Sequence, residues 1–202
     1  MQSDKVHRFM LLAGQRCSRN LCLGSVEERK LGAQLLLSEV LEYVIKGLGV
    51  IPKIGDRRLE NPDEVDYLIG EAKPDAVQML DGLADVAYTM YWNAEAFGLP
   101  LEEAFEAVCD NNLEKFVKLE GWSEGAVTLD RPRWDCKRGI KWPSEVTKVE
   151  VLEFNGEFYA VGKDSRGKVR KPSSYRQIDL TSLIERREHE GVKDTNISAV
   201  NR

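Results

Sequence analysis

The sequence is poor in the residues that build zinc centres and nucleophile–base dyads. It has two histidines, His7 and His189, near opposite ends of 202 residues. Its four cysteines, Cys17, Cys22, Cys109 and Cys136, form no C-x-x-C pair and have no neighbouring histidine. The spacing of Cys17 and Cys22 is not that of a zinc ribbon, so the four read as reduced thiols packed like small apolar side chains. Nothing marks an activated Ser or Cys, which argues against a covalent intermediate. No apolar run reaches eighteen residues, the length that would suggest a membrane span, and Met1–Lys5 lacks the apolar core of a signal peptide. A cytoplasmic protein is expected, without a membrane partner. A basic excess is missing too: 29 Lys and Arg stand against 34 Asp and Glu, a net charge of −5, which argues against direct nucleic-acid binding because phosphate neutralisation needs a basic footprint. There is no internal repeat and no low-complexity block.

What is present is helical periodicity followed by a change of character. Lys5 to about Ala13 reads as a short helix and Gly14–Gly24 as a polar loop. A long helix is predicted from Ser25, a plausible N-cap with Glu27 and Glu28 in the first turn, to Lys46, with Leu37, Val40, Leu41, Val44 and Leu48 as its apolar stripe. Gly47 and Gly49 end it. Val50–Gly70 is broken by Pro52, Gly55 and Pro62. A second long helix runs from Pro74 to about Phe97, and a third from Leu101 to about Phe116. After Lys118 the period is lost. Trp122, Trp134 and Trp142 fall in a Gly- and Pro-containing stretch and read as core or interface anchors. Val146–Phe154, Asn155-Gly156 and Glu157–Val161 form a hairpin signal, since Asn-Gly between β-rich runs favours the type I′ turn. The tail from Thr181 is charged and reads as a short helix with a frayed end.

Chemistry is suggested by two pairs of carboxylates in apolar helical patterns. Glu39 and Glu42 are three apart and Asp81 and Asp85 four apart, so each pair shares a helix face beside leucines and valines. Ionised carboxylates in an apolar setting are costly unless compensated, and a hard cation such as Mg²⁺ or Mn²⁺, which prefers oxygen ligands, would compensate them. A two-helix, all-carboxylate metal site is therefore expected. Lys168, Arg170 and Lys171 form a later basic patch suited to phosphate oxygens.

The pattern Glu39-x-x-Glu42, followed by Asp81-Gly-Leu-Ala-Asp85-Val-x-Tyr88, resembles the all-α nucleoside triphosphate pyrophosphohydrolases of the MazG-like and phosphoribosyl-ATP pyrophosphohydrolase group, in the flavour often encoded by bacteriophages. Three further blocks are similar: Val6-x-x-Phe9-x-x-x-Ala13-x-Gln15, then Gly98–Ala104 with Val108-x-x-x-Asn112-x-x-Lys115, and Gly167-Lys-Val-Arg-Lys171-Pro-x-x-Tyr175. The chain departs from the family where Ser38 precedes Glu39 and many members have two adjacent glutamates. It departs again where Gly82, with Asp81 before it, stands in place of the first acid of a Glu-x-x-Asp motif.

The resemblance implies a mainly α fold, an antiparallel helical bundle with a C-terminal β-hairpin appendage. It also implies Mg²⁺- or Mn²⁺-dependent hydrolysis of (deoxy)nucleoside triphosphates to monophosphate and pyrophosphate, in the host cytoplasm if the chain is phage-encoded. Glu39, Glu42 and Asp85 would be the catalytic and metal-binding acids, with Asp81 a fourth ligand. Gln15, Asn112, Lys115, Lys171 and Tyr175 would contact the nucleotide. Residues 1–118 would form the pyrophosphohydrolase core, 119–180 the tryptophan-containing insert and hairpin with a phosphate-clamping loop, and 181–202 the charged tail. A homodimer or homotetramer is expected. A phosphoribosyl-ATP pyrophosphohydrolase and a non-catalytic nucleotide or metal sensor on the same fold are the alternative readings.

Overall fold

The computed structural model describes residues 2–187 and 189, so the expected frayed end of the tail lies outside the described residues. In chain order it has α1 (Gln2–Leu12), α2 (Val26–Glu42) continued by a π-turn at Tyr43–Gly47, strands β1 (Lys53–Ile54) and β2 (Arg57–Arg58), and a 3₁₀ turn at Pro62–Glu64. There follow α3 (Ala76–Phe97), α4 (Leu101–Leu113), β3 (Val117–Leu119), β4 (Val127–Leu129), β5 (Lys148–Phe154), β6 (Glu157–Lys163) and α5 (residues 181–187). Asn20–Ala76 with Arg166–Lys168 form one compact unit, and the remaining segments the other.

The expected helical bundle with an appended hairpin is not the fold. The described residues contain five helices, 43% of the structure, together with two antiparallel sheets that make up 14%. The hairpin is real, but it is the centre of a four-stranded sheet of order β3-β6-β5-β4 rather than an appendage. Its two outer strands come from the stretch that carries no helical period: Val117 pairs with Ala160 and Val127 with Val151. Three-residue strands have too few residues to show an alternation, and what stabilises them is pairing with partners far along the chain.

In the larger unit both faces of this sheet are buried. One carries Val149, Val151 and Ala160, each fully buried, and packs with Leu119, Leu129 and Val146. Trp122, Trp134 and Trp142 close that core. Each indole N–H donates to a backbone carbonyl, of Gly125 at 2.8 Å, Leu129 at 3.0 Å and Trp134 at 3.1 Å, so the rings are half-buried without orphaning a donor. Trp142 lies directly on Gly162, where an added Cβ would stand 2.5 Å from the ring. The other face meets the end of α1 through Leu12, Ala13, Phe116, Val161 and Val169, with Phe9 and Phe116 in an edge-to-face contact at 5.0 Å. The turn has Asn155 at φ 54° and Gly156 at φ 76°, the positive pair a type I′ hairpin needs. Beyond β6 the buried Asp164 carboxylate accepts from Arg170 at 2.6 Å and 2.9 Å, which ties the next segment to the sheet.

In the smaller unit α2 starts at Ser25 with a reciprocal capping box: the Ser25 hydroxyl accepts from the Glu28 N–H, and the Glu28 carboxylate accepts from the Ser25 N–H. The buried face of α2 is short and largely polar: Gln34, Ser38 and Leu41. Leu35, Leu36, Leu37 and Val40 keep 36–43% of their surface exposed. The helix packs against the 3₁₀ turn at Pro62–Glu64, and β1 and β2 form a small hairpin.

Candidate functional site

The carboxylates expected to bind metal lie on long, well-formed helices, and all four are exposed. Glu39 and Glu42 sit on α2 in the smaller unit. Glu42 accepts from the Lys46 ammonium at 2.7 Å one turn later. That bond holds Lys46 above its ordinary lysine range, reinforced by the negative charge of Glu42 itself and, more weakly, of Asp63 and Glu39. A lysine thus supplies the compensating positive charge beside this pair. The apolar surroundings read from the sequence do not bury these acids within the chain.

Asp81 and Asp85 sit on the part of α3 that belongs to the larger unit. Their neighbours Leu80, Leu83 and Tyr88 are 72%, 60% and 70% exposed, and Ala94 is the buried residue of this 22-residue helix. Among the described residues no group of three or more His, Cys, Asp or Glu side chains is placed to hold a metal ion. The donor chemistry at each pair suits a hard cation, but what each helix offers is a pair.

The residues expected to contact nucleotide all lie in the larger unit, and Lys171 and Tyr175 among them are in contact. α1 runs along α4: Lys5 pairs with Glu106 at 2.6 Å and Asp110 at 2.8 Å. The Asp110 bond, then the Glu106 bond, holds the Lys5 ammonium well above its ordinary range. Past the end of α1, beyond Gly14 at φ 58°, lies the half-buried Gln15. Just past the C-terminal end of α4, Lys115 places its ammonium 5.7 Å from the Phe9 ring, and Asn112 is half-buried.

The late segment comes to the same end of α4. The Tyr175 hydroxyl donates to the Asn111 side-chain carbonyl, and the Asn111 amide donates to the Arg176 carbonyl at 2.9 Å. Burial, then the nearby Glu114 charge, pushes the Tyr175 phenol up from its ordinary value. Lys171 sits 4.8 Å from the Tyr175 ring and donates to Gln177 at 3.3 Å. Lys171 and Tyr175 are therefore brought to the end of α4, with Asn111 as the tether one residue before the expected Asn112, while Lys115 lies against Phe9. Sequence reasoning missed Asn111 because its partners lie 64 and 65 residues away.

It also left unassigned a cavity of about 320 Å³ in the tryptophan region, lined by Arg131, Trp134, Asp135, Ile140, Lys141 and Trp142 among others. The alternation of cations and aromatics in Arg131–Trp142 was its visible signal.

No helix among the described residues is long and apolar enough to cross a membrane. No family model, no curated protein and no solved structure matches this chain.

Proposed function

We propose that the chain is a nucleoside triphosphate pyrophosphohydrolase that releases a nucleoside monophosphate and pyrophosphate. The observation that carries this reading is the convergence of the late block on the end of α4, anchored by the Tyr175–Asn111–Arg176 hydrogen bonds. It brings Lys171 and Tyr175, a cation and a phenol, to the helix that precedes Lys115, and these groups suit a polyphosphate and a base or sugar. The exposed acid pairs on α2 and α3 supply the second requirement. In this reading the pair Glu39 and Glu42 and the pair Asp81 and Asp85 would each hold Mg²⁺ or Mn²⁺, which would supply positive charge for the phosphates and Lewis acidity. Glu39 or Glu42 orients the attacking water or takes its proton. Lys115 and Lys171 stabilise charge on the departing diphosphate, and Tyr175 packs against the nucleotide.

A second copy of the chain is part of the proposal. Leucines 36–72% exposed on α2, and separately on α3, are side chains of the kind that a homodimer or homotetramer covers. Light scattering at micromolar concentration should then give a multiple of the chain mass.

The test is pyrophosphate release from a panel of NTPs and dNTPs with Mg²⁺ or Mn²⁺. Glu42→Gln and Asp85→Asn should each lower kcat by about a hundredfold or more with helicity unchanged, and Lys171→Gln should mainly raise KM. Absence of release from every nucleotide with both metals overturns the enzyme reading. Saturable nucleotide binding without turnover would instead support a sensor, the reading favoured by acid pairs that no third ligand joins among the described residues.

A further inference from the structure

The cavity on the tryptophan face of the sheet is walled by residues with no part in the proposed hydrolysis. Arg131, on a 3₁₀ turn, stacks its guanidinium 4.6 Å from the centre of the Trp134 ring. Lys141 and Trp142 follow a turn closed by the Ile140 N–H donating to the Lys137 carbonyl at 3.0 Å. Ser173 pins Lys141 on both sides: its hydroxyl accepts from the Lys141 N–H at 2.8 Å, and its N–H donates to the Lys141 carbonyl at 2.8 Å. Trp142 is fixed by its indole bond to Trp134 and by its seat on Gly162. The walls are thus held in place before any ligand arrives, which lowers the cost of binding.

The chemistry of the wall narrows the occupant. Two cations, Arg131 and Lys141, oppose one carboxylate, Asp135, so the site carries net positive charge. Arg131 already sits over Trp134, which leaves an organic cation both repelled and without that ring face. An anion is favoured. With Arg131 over Trp134, the indole of Trp142 and the side chain of Ile140 are what suit a flat ring. The exposed Asp135 carboxylate in turn complements N–H donors on that ring, which a simple aromatic carboxylate lacks. A planar heterocycle with ring or exocyclic N–H groups and a separate anionic group meets all three demands.

We propose that this cavity binds a nucleoside 5′-monophosphate, with the base against Trp142 and Ile140, the phosphate on Arg131 and Lys141, and the base edge donating to Asp135. Guanine, with two adjacent N–H donors on one edge, is the base a carboxylate accepts best. The inference stands on the cavity alone and is independent of the hydrolase reading.

The experiment is titration of the full chain with GMP, AMP, CMP and UMP in EDTA, followed by tryptophan fluorescence. EDTA suppresses metal-dependent binding at the helical carboxylates. Saturable quenching with GMP tightest and a Kd of about 0.1 mM or below is expected. Lys141→Gln and Arg131→Gln, both exposed side chains, should each weaken it about tenfold with an unchanged circular dichroism spectrum. Asp135→Asn should abolish the preference for GMP over AMP. The proposal is overturned if none of the four nucleotides quenches saturably at millimolar concentration. It is equally overturned if quenching is the same in both cation variants, or if the base preference survives Asp135→Asn.

Discussion

Val149, Val151, Ala160 and Val161 at the centre of the sheet have no exposed surface, whereas Val77, Leu80 and Leu83 on α3 keep 73%, 72% and 60% of theirs. Both groups come from stretches that any hydropathy reading would send to a core. The sheet finds cover on both faces inside the chain, from the tryptophan-bearing segment and from the end of α1. The outward side chains of α3 are not covered among the described residues, and α2 similarly buries Gln34 and Ser38 while Leu36 and Leu37 are 43% and 40% exposed. An apolar pattern states a capacity for burial; which surface meets it is decided elsewhere. For the helices, that surface is a second copy in the reading proposed above.

The sharpest way to break this contrast is a matched pair of truncations. Leu12→Ala, at a side chain 1% exposed, should cost about 3 kcal/mol in urea denaturation, from lost burial and the cavity left behind. Leu83→Ala should change the stability of the dilute chain by less than about 0.5 kcal/mol. Equal losses at the two positions would show that α3 is packed as tightly as the sheet.

Next in size is Gly162→Ala. The added Cβ would meet the Trp142 ring at 2.5 Å, and this half-buried indole, held by its bond to the Trp134 carbonyl, has little room to retreat. A loss of about 2 kcal/mol is expected, together with a changed near-ultraviolet tryptophan signal. Wild-type stability in this variant would mean that the tryptophan face is looser than the other.

A smaller effect depends on pH. Glu150 faces away from its buried neighbours Val149 and Val151 and pairs with Lys148 and Lys163, each at 2.6 Å. Burial pushes its carboxyl up, but the two lysine bonds together outweigh this and hold it below its ordinary value of 4.5. With the folded pKa depressed, the contribution to stability is fully present above the ordinary value and is lost as pH falls through the lower folded one. Glu150→Gln should therefore be less stable than wild type by about 1 kcal/mol at pH 7, with the gap shrinking on acidification. A gap that is unchanged at pH 3 would contradict the ion-pair account.

The smallest effect is expected in the smaller unit. The Tyr67 hydroxyl is buried with no hydrogen-bond partner among the described residues, and burial raises its phenol pKa. Tyr67→Phe removes an unsatisfied polar atom and should leave stability within about 0.5 kcal/mol of wild type, or raise it. A clear loss would reveal a partner for that oxygen.

Local chemistry was legible where neighbours in sequence satisfy one another. Ser25 and Glu28 close the capping box across a single turn, and Asn155-Gly156 adopts the positive φ angles that its residue types tolerate. The spacing that puts Glu39 beside Glu42 and Asp81 beside Asp85 is likewise a property of the helix itself. The strands Val117–Leu119 and Val127–Leu129 were not legible, since three residues carry no period and their partners lie across the sheet. Nor was the Asn111–Tyr175 tether, or the cavity that brings Arg131 to Trp142.

By itself, then, the sequence determined which stretches coil, where they are capped, where the hairpin turns and which acids share a helix face, because each depends on interactions within a few residues. Tertiary structure alone decided that the hairpin is the middle of a two-sided core, that the leucines of α2 and α3 face outward, and that Tyr175, with Lys171 beside it, closes on Asn111. Those outcomes depend on which surfaces meet after distant segments close on each other, and hydropathy carries no record of the partner.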